Sequence, residues 1–133
     1  NMTSKLNDRI AKAKGWTRSE KRVPFTNLRY DPEIWCVHKY THWHNPKGKP
    51  APRPDFTGTL EGVAGMLRGL CNREREIGST KRWYITHTPN GYTCQRAVGV
   101  EVWESYTSEQ FGLCVGEAWL SVFGEEAADG STN

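Results

Sequence analysis

The sequence predicts an α+β protein with a small antiparallel or mixed sheet of three to four strands. About three helices flank that sheet, in a layered α/β/α sandwich. Apolar residues recur at helical spacing in three segments, and aromatic and β-branched runs between them are typical of strands. Asn90-Gly91 separates two such runs, which indicates a hairpin. With 133 residues, we expect one domain over residues 2–127 with a single modest core.

The N-terminal part is predicted to hold one helix and one strand. Leu6 to Lys14 alternate apolar and basic residues in a short helical pattern, and Gly15 is a plausible C-terminal stop. A polar, basic stretch follows through Arg29. The run from Ile34 to Trp43 is rich in aromatic and β-branched residues, as strands are.

A proline-rich segment over residues 45–54, NPKGKPAPRP, comes next. Four prolines and three basic residues in ten positions exclude a regular helix or strand. We therefore expect an extended connection on the surface of the domain. The central helix should begin directly after it, with Asp55 or Thr57 as the N-cap.

The central segment, Pro54 to Ile77, carries two opposed stripes at helical spacing. One stripe is apolar and comprises Phe56, Leu60, Val63, Leu67, Leu70 and Cys71. The opposite stripe consists of Gly58, Gly62, Gly65 and Gly69. Each mid-helix glycine costs roughly 0.5–1 kcal/mol relative to alanine, so a close neighbour is expected to offset the cost. That neighbour is either another element of the same fold, or a second chain (including a second copy in a homodimer) or a flat ligand. A shorter or broken helix is the third interpretation.

The C-terminal half is predicted to form the rest of the sheet. Arg82 to Thr88 form a strand and Pro89-Asn90-Gly91 a tight turn. Tyr92 to Val98 and Val100 to Ser105 continue the sheet, as one long bent strand with Gly99 at a bulge.

A last amphipathic helix, capped by Thr107 or Ser108, should run through Ala127. The small polar residues 128–133 are expected to form a frayed tail.

Three segments together resemble the phage ABA-sandwich domain, a family of small bacteriophage and prophage proteins. Lys14-Gly15-Trp16 closes the first helix like that family's Gly-Trp ending, and Asp55-Phe56-Thr57 is similar to its central helix start. Leu113 to Gly124 is similar to its closing helix of small and aliphatic residues. The resemblance covers most of the chain from Asp8 to Gly124. It implies a phage origin and a fold, and it carries no catalytic residues.

Composition limits the partners and the compartment. The net charge of +3 and a pI near 8.7 permit a nucleic-acid or anionic ligand without demanding one. The four cysteines are widely spaced, and the first residues contain no signal-peptide hydrophobic region, which predicts reduced thiols in a cytoplasm. No apolar run is long enough to cross a membrane.

One strand presents a candidate metal site. If Ile34 to His44 is extended, alternation projects Cys36, His38, His42 and His44 to one face. Imidazoles and a thiol are zinc ligands, but a tetrahedral site normally takes ligands from a second element. The alternative places two imidazoles at a solvent-facing strand end and Cys36 in the core.

Two groups of basic residues are candidate anion sites. Lys81, Arg82 and Tyr84 combine charge with a stacking surface suited to a small nucleotide. Lys47, Lys49 and Arg53 in the proline-rich segment could contact phosphates or a protein. The alternative for both groups is charge that keeps the surface soluble.

No nucleophile, phosphate-cradling or paired-acid motif is present. We therefore predict a non-enzymatic phage- or prophage-encoded protein that occludes a host protein, as an inhibitor or adaptor. Its contact surface would be the glycine stripe or the Lys47–Arg53 segment. The alternatives are a sponge for a small nucleotide signal and a nucleic-acid-binding accessory protein. No cofactor is expected, unless zinc occupies the histidine strand.

Overall fold

The computed structural model describes residues 2–27 and 31–124, and for residues 20–27 and 31–41 it describes only the backbone. It confirms the α+β class: this part of the chain forms three helices and two antiparallel sheets, one of two strands and one of three. Two compact units result. The ribbon unit is Lys14–Arg53, and the main unit combines the residues up to Ala13 with those from Pro54 onward.

The ribbon unit is a long two-stranded hairpin made of β1, Thr17–Asn27, and β2, Asp31–His44. Its pairing runs one to one from Thr17 opposite His44 to Thr26 opposite Trp35. The predicted strand at Ile34–Trp43 is therefore confirmed. The partner strand β1 was not predicted, because eight of its eleven residues are polar or charged and Pro24 separates its two apolar residues, Val23 and Phe25.

The proline-rich segment forms a defined turn beside β2. The Asn45 side-chain oxygen accepts hydrogen bonds from the backbone N–H groups of Lys47 and Lys49, both at 3.0 Å. Gly48 has a φ of +83°, which favours glycine. Pro50 then forms a bridge with His44, within the same unit. Side-chain capping, which resembles an Asx-turn, thus orders a segment that has few backbone donors.

The main unit begins with α1, Met2–Ala13, and continues with α2, Leu60–Glu76. The chain leaves α1 through Gly15, whose φ of +95° confirms the predicted helix stop. Helix α2 begins later than predicted: Thr59, rather than Asp55 or Thr57, is the N-cap and accepts a hydrogen bond from Gly62 N at 3.1 Å.

The three-stranded sheet has the order β3-β4-β5. Its strands are β3, Arg82–Thr88, β4, Gly91–Val98, and β5, Glu101–Ser108. The predicted bounds of β3 are confirmed. The prediction of one long bent strand is wrong, because β4 and β5 pair as an antiparallel hairpin, joined by Gly99 and Val100. Gly99 has a φ of +57°, which suits the first position of a two-residue hairpin loop.

The last helix, α3, spans Phe111–Phe123 with Gln110 as the N-cap. Thr107 and Ser108, predicted as caps, belong to β5, where they pair with Thr93 and Tyr92. The antiparallel ladder with β4 extends through these two residues, and this pairing outweighs their preference for a helix cap. The predicted extension of the helix to Ala127 and the polar tail lie outside the described residues.

Helix α3 is the centre of the main unit, in contact with α1, α2, β4 and β5. Its residues are mostly apolar, as expected for a helix covered on several sides. The largest fully buried side chains of the main unit's described residues lie on α1, α2, β4 and α3 itself, and they are Ile10, Met66, Leu70, Cys94, Cys114 and Val115.

A buried asparagine joins α1 to the segment before α2. Asn7 is 3% exposed, and its side-chain oxygen accepts from Phe56 N at 3.0 Å and Thr57 N at 3.1 Å. Its amide donates to Asp55 Oδ1 at 3.0 Å. One side chain therefore satisfies the N–H groups of buried Phe56 and Thr57, which burial would otherwise leave unpaired.

The segment before α2 packs against two glycines of α3, Gly112 and Gly116. A Cβ at Gly112 would collide with the backbone carbonyl of Thr57. A Cβ at Gly116 would lie 3.0 Å from Thr57 Cγ2 and 3.2 Å from Ile10 Cδ1. The spacing of four places both glycines on one helix face, so the backbone of α3 can approach α1 and Thr57 closely.

Candidate functional site

The glycine stripe is largely explained within the main unit. A Cβ at Gly58 would collide with the Asp55 carboxylate, and one at Gly62 with the Phe56 backbone carbonyl. At Gly69 it would lie 3.3 Å from Trp119 Nε1 on α3. Gly65 alone among the four has no atom within 4 Å of a built Cβ. Internal packing therefore accounts for three of the four candidate partner contacts.

The β4–β5 hairpin exposes an apolar surface at its turn. We name this surface the hairpin patch and define it by four residues: Val98, Val100, Val102 and Trp103. Val100 is fully exposed, and Trp103 is 54% exposed. Exposed apolar side chains scattered singly are ordinary, but four of them within six positions around one hairpin turn, including a tryptophan, make this turn a candidate contact surface.

A β-bulge produces this display. Arg96 pairs with Glu104 whereas Ala97 pairs with Val102, so Trp103 is the extra residue on β5. A bulge interrupts the strict alternation of a strand and re-aims a side chain. Val102 and Trp103 are consequently both exposed although they are neighbours in sequence.

Three side chains were predicted to hold a nucleotide, and each has different neighbours. Lys81 Nζ lies 3.9 Å from the centroid of a Trp103 ring, a cation–π contact. Arg82 Nη1 donates to the backbone carbonyls of Ser79, at 3.1 Å, and Lys81, at 2.9 Å. Tyr84 is exposed on β3. The structure thus places a second aromatic residue, Trp103, beside Lys81, which the sequence analysis did not include.

A cavity of about 460 Å³ lies where α2 ends and β3 begins. Its lining is mixed in charge and polarity, with two arginines, one carboxylate, one hydroxyl and one thiol. The lining residues are Cys71, Glu74, Arg75, Gly78, Ser79, Arg82 and Trp83. The sequence analysis had named Arg82 as a candidate binding residue, and it had named Cys71 only as part of the apolar stripe of the central segment.

Glu74, one of the lining residues, forms a largely buried ion pair with Arg96. Arg96 Nε and Nη2 donate to the two carboxylate oxygens of Glu74 at 2.5 and 3.0 Å. Arg96 Nη1 also lies 3.6 Å from Glu104 Oε2. Burial alone would raise the pKa of Glu74, but hydrogen bonds from Arg96 and Ser79 outweigh it, and the pKa lies below its usual 4.5. Sequence reasoning missed this pair because its members belong to different elements.

The buried thiols are unsuited to nucleophilic chemistry. Burial raises the pKa of Cys94 to about 12, and burial also raises the pKa of Cys114. A reactive cysteine requires the opposite shift, toward the thiolate. Cys71 is exposed, at the rim of the cavity.

The strand proposed for zinc is unbroken from Asp31 to His44, so the alternation behind that hypothesis is present. Opposite His38, His42 and His44, the register places Val23, Ser19 and Thr17. None of these is a usual zinc ligand. No group of three His, Cys, Asp or Glu able to hold a metal occurs among the described side chains. The side chains of Cys36 and His38 lie outside that set, so zinc binding stays a prediction.

The basic residues of the proline-rich segment are displayed by the turn at Asn45. Lys47 and Lys49 are exposed, and Arg53 is half-buried. Because their backbone N–H groups are fixed to Asn45, the two lysines occupy defined positions in the ribbon unit.

Comparisons with known proteins leave the family open. No protein-family model, no curated protein and no solved structure matches this chain. The resemblance to the phage ABA-sandwich domain therefore stays a prediction. Within the described residues, no helix is both long and apolar enough to span a lipid bilayer.

Proposed function

We propose that this protein is a non-enzymatic binding domain that contacts another protein through the hairpin patch. The observation that carries the proposal is the bulge that exposes Val102 and Trp103 together, beside the fully exposed Val100. Tryptophan is strongly enriched among the residues that dominate binding energy at protein interfaces. Burying Trp103 and the valines would remove apolar surface from water at roughly 25 cal/mol per Å².

Lys81 adds a polar rim to this surface. Its ammonium over Trp103 gives the patch the aromatic centre and charged edge that interfaces commonly have. A nucleotide is supported less well, because Lys81, Arg82 and Tyr84 have separate neighbours instead of converging on one space.

The proposed partner is a host protein in a bacterial cytoplasm, with the phage or prophage origin that the family resemblance implies. Occlusion requires no catalytic group, which agrees with the raised pKa of Cys94. The glycine stripe contributes little to this surface, since an added Cβ at three of its members would meet the protein's own atoms.

In-cell photo-crosslinking tests the proposal. A photoreactive amino acid at Glu101, an exposed position next to the patch, should yield one discrete adduct. Trp103→Ala combined with that probe should abolish most of the adduct, since truncating a central aromatic anchor typically costs at least 2 kcal/mol, about thirtyfold in affinity.

The matched control uses the other end of α2. Leu60 is also an exposed apolar residue, and the 17-residue helix separates it from the start of β3 by roughly 25 Å. Leu60→Ala should leave the adduct unchanged. An adduct of twice the protein's own mass would assign the patch to a second copy and overturn the host partner. A small nucleotide that stabilises the wild type but not Arg82→Ala would favour the sponge instead.

A further inference from the structure

Positive charge in this chain is concentrated at one end of the ribbon unit. We name this end the basic end and define it as residues 14–22 and 39–53. It holds eight Lys or Arg residues and one acidic residue. The rest of the chain holds ten Lys or Arg residues and fourteen acidic residues. The near-neutral total therefore conceals a strongly basic element.

The backbone brings these two sequence segments together. Antiparallel pairing places residues 17–22 opposite residues 39–44. The following turn folds back along β2, through the Pro50–His44 bridge and the hydrogen bond from Ala51 N to Trp43 O at 3.1 Å. The cations of residues 14–22, of residues 39–44 and of the turn at residues 45–53 consequently belong to one continuous end of the hairpin.

One rung of the ribbon sets two cations directly opposite each other, Arg22 and Lys39. Four residues away along β1, the rung that pairs Arg18 with Trp43 adds a guanidinium 5.8 Å from the centroid of a Trp43 ring.

We propose that the basic end binds the phosphate backbone of double-stranded DNA. A two-stranded antiparallel ribbon has the dimensions that the major groove admits. The cations from position 18 to position 22 extend over about 14 Å of strand, along a polymer that carries one charge per 1.7 Å or so of its axis. Exposed Lys47 and Lys49 on the ordered turn then add contacts to the same backbone.

Salt dependence of binding is the primary test, with the full-length protein and a fluorescent 20-base-pair duplex of arbitrary sequence. If five of the eight cations contact phosphates, the affinity should fall about 500-fold between 50 and 200 mM salt. The variant Lys47→Ala/Lys49→Ala should lower the slope of log K against log salt by about two.

The matched control removes the same charge from the main unit. Arg68 and Arg73 are exposed residues of α2, and Arg68→Ala/Arg73→Ala should leave affinity and salt slope unchanged. Lys47→Arg/Lys49→Arg should retain the wild-type slope. Both sets should keep the wild-type circular dichroism, since the affected side chains are exposed.

Three results would overturn the proposal. The first is absence of duplex binding at 50 mM salt, and the second is equal loss in the α2 control. The third is single-stranded DNA or heparin binding as tightly as the duplex, since that would show a general attraction for polyanions without docking of the ribbon. Because Trp103→Ala leaves the basic end intact, failure of this test and failure of the hairpin-patch proposal are separable.

Discussion

The main unit and the ribbon unit are held together at different sequence distances. In the main unit, Asn7 hydrogen-bonds to residues 48 to 50 positions further on, and Gly112 and Gly116 of α3 receive Thr57. In the ribbon unit, neighbouring strands pair in continuous register, and a single side chain, Asn45, orders the following turn. The named contacts of the main unit therefore join segments about fifty positions apart, whereas the strand pairs of the ribbon lie within a single hairpin.

This difference explains how the sequence of the main unit accommodates the 40-residue ribbon unit as an insertion. The chain leaves the main unit after Ala13 and returns at Pro54. The hydrogen bonds of Asn7 to Asp55 and its neighbours fix those two ends near each other within the main unit. Insertions are tolerated where the flanking ends are close together. Variants in the main unit should therefore act globally, and variants in the ribbon should act locally.

The largest expected effect is at the contact between α3 and Thr57. Gly112→Ala would drive a methyl group into the Thr57 carbonyl, and backbone on both sides leaves no simple escape. We expect a loss of about 4 kcal/mol or more in the free energy of unfolding, the range of exceptional destabilisation. Urea denaturation followed by circular dichroism measures it.

Gly65→Ala is the matched control, because a Cβ there meets no atom within 4 Å. The same chemical change in the middle of α2 should stabilise the protein by roughly 0.5–1 kcal/mol. Equal destabilisation by the two variants would contradict the close approach at Gly112.

The next largest effect is at the Glu74–Arg96 pair. Arg96→Met leaves a buried carboxylate without its main partner, and removing one member of a buried pair costs about 3–5 kcal/mol. The double variant Glu74→Leu/Arg96→Met should recover most of that loss, since apolar replacement of a whole pair is often neutral. Unfolding free energies at pH 7 provide the comparison, and equal losses in the two variants would count against the pair.

Acid should reveal the same interaction. The pKa of Glu74 is lower in the folded protein than its usual 4.5, so the folded state favours the charged form. Its contribution is complete above the unfolded-state pKa and is lost as the pH falls through the lower folded-state pKa. The stability difference between wild type and Glu74→Gln should therefore shrink between pH 5 and pH 3, as urea titrations at several pH values would show.

A smaller global effect is expected at Asn7. Asn7→Ala leaves the N–H groups of Phe56 and Thr57 without the acceptor they have now, at a cost of about 2–3 kcal/mol. Hydrogen exchange followed by mass spectrometry should show faster exchange throughout the main unit. Faster exchange confined to residues 55–58 would mean that the contact is local and would weaken the contrast between the units.

The smallest effect should be in the ribbon. Asn45→Ala removes the acceptor for Lys47 N and Lys49 N, which costs roughly 1 kcal/mol. Exchange and proteolysis should increase within residues 45–53 while the exchange rates of α2 and α3 stay unchanged. A protein-wide loss of protection would show that the turn supports more than its own unit.

Sequence patterns correctly predicted those helices and strands that depend on the chemistry of a few neighbouring residues. Gly15 ends α1, and the aromatic and β-branched composition of Arg82 to Thr88 forms β3 with the predicted bounds. The sequence patterns failed in two places. The polar strand β1 forms because it pairs with β2, despite its low strand propensity, and Thr107, a residue type that favours helix caps, pairs with β4 in the sheet instead. Neither outcome is visible until the partner strand is known.

The sequence by itself determined the α+β class, the presence of the central and closing helices, and the hairpin after β3, because hydrophobic periodicity and turn chemistry act over a few residues. The tertiary structure alone decided that Asn7 bonds to the segment before α2, that Glu74 pairs with Arg96, and that a bulge exposes Trp103. These features depend on elements distant in sequence or on the register between strands. A one-residue change of register re-aims side chains, and local composition does not encode it.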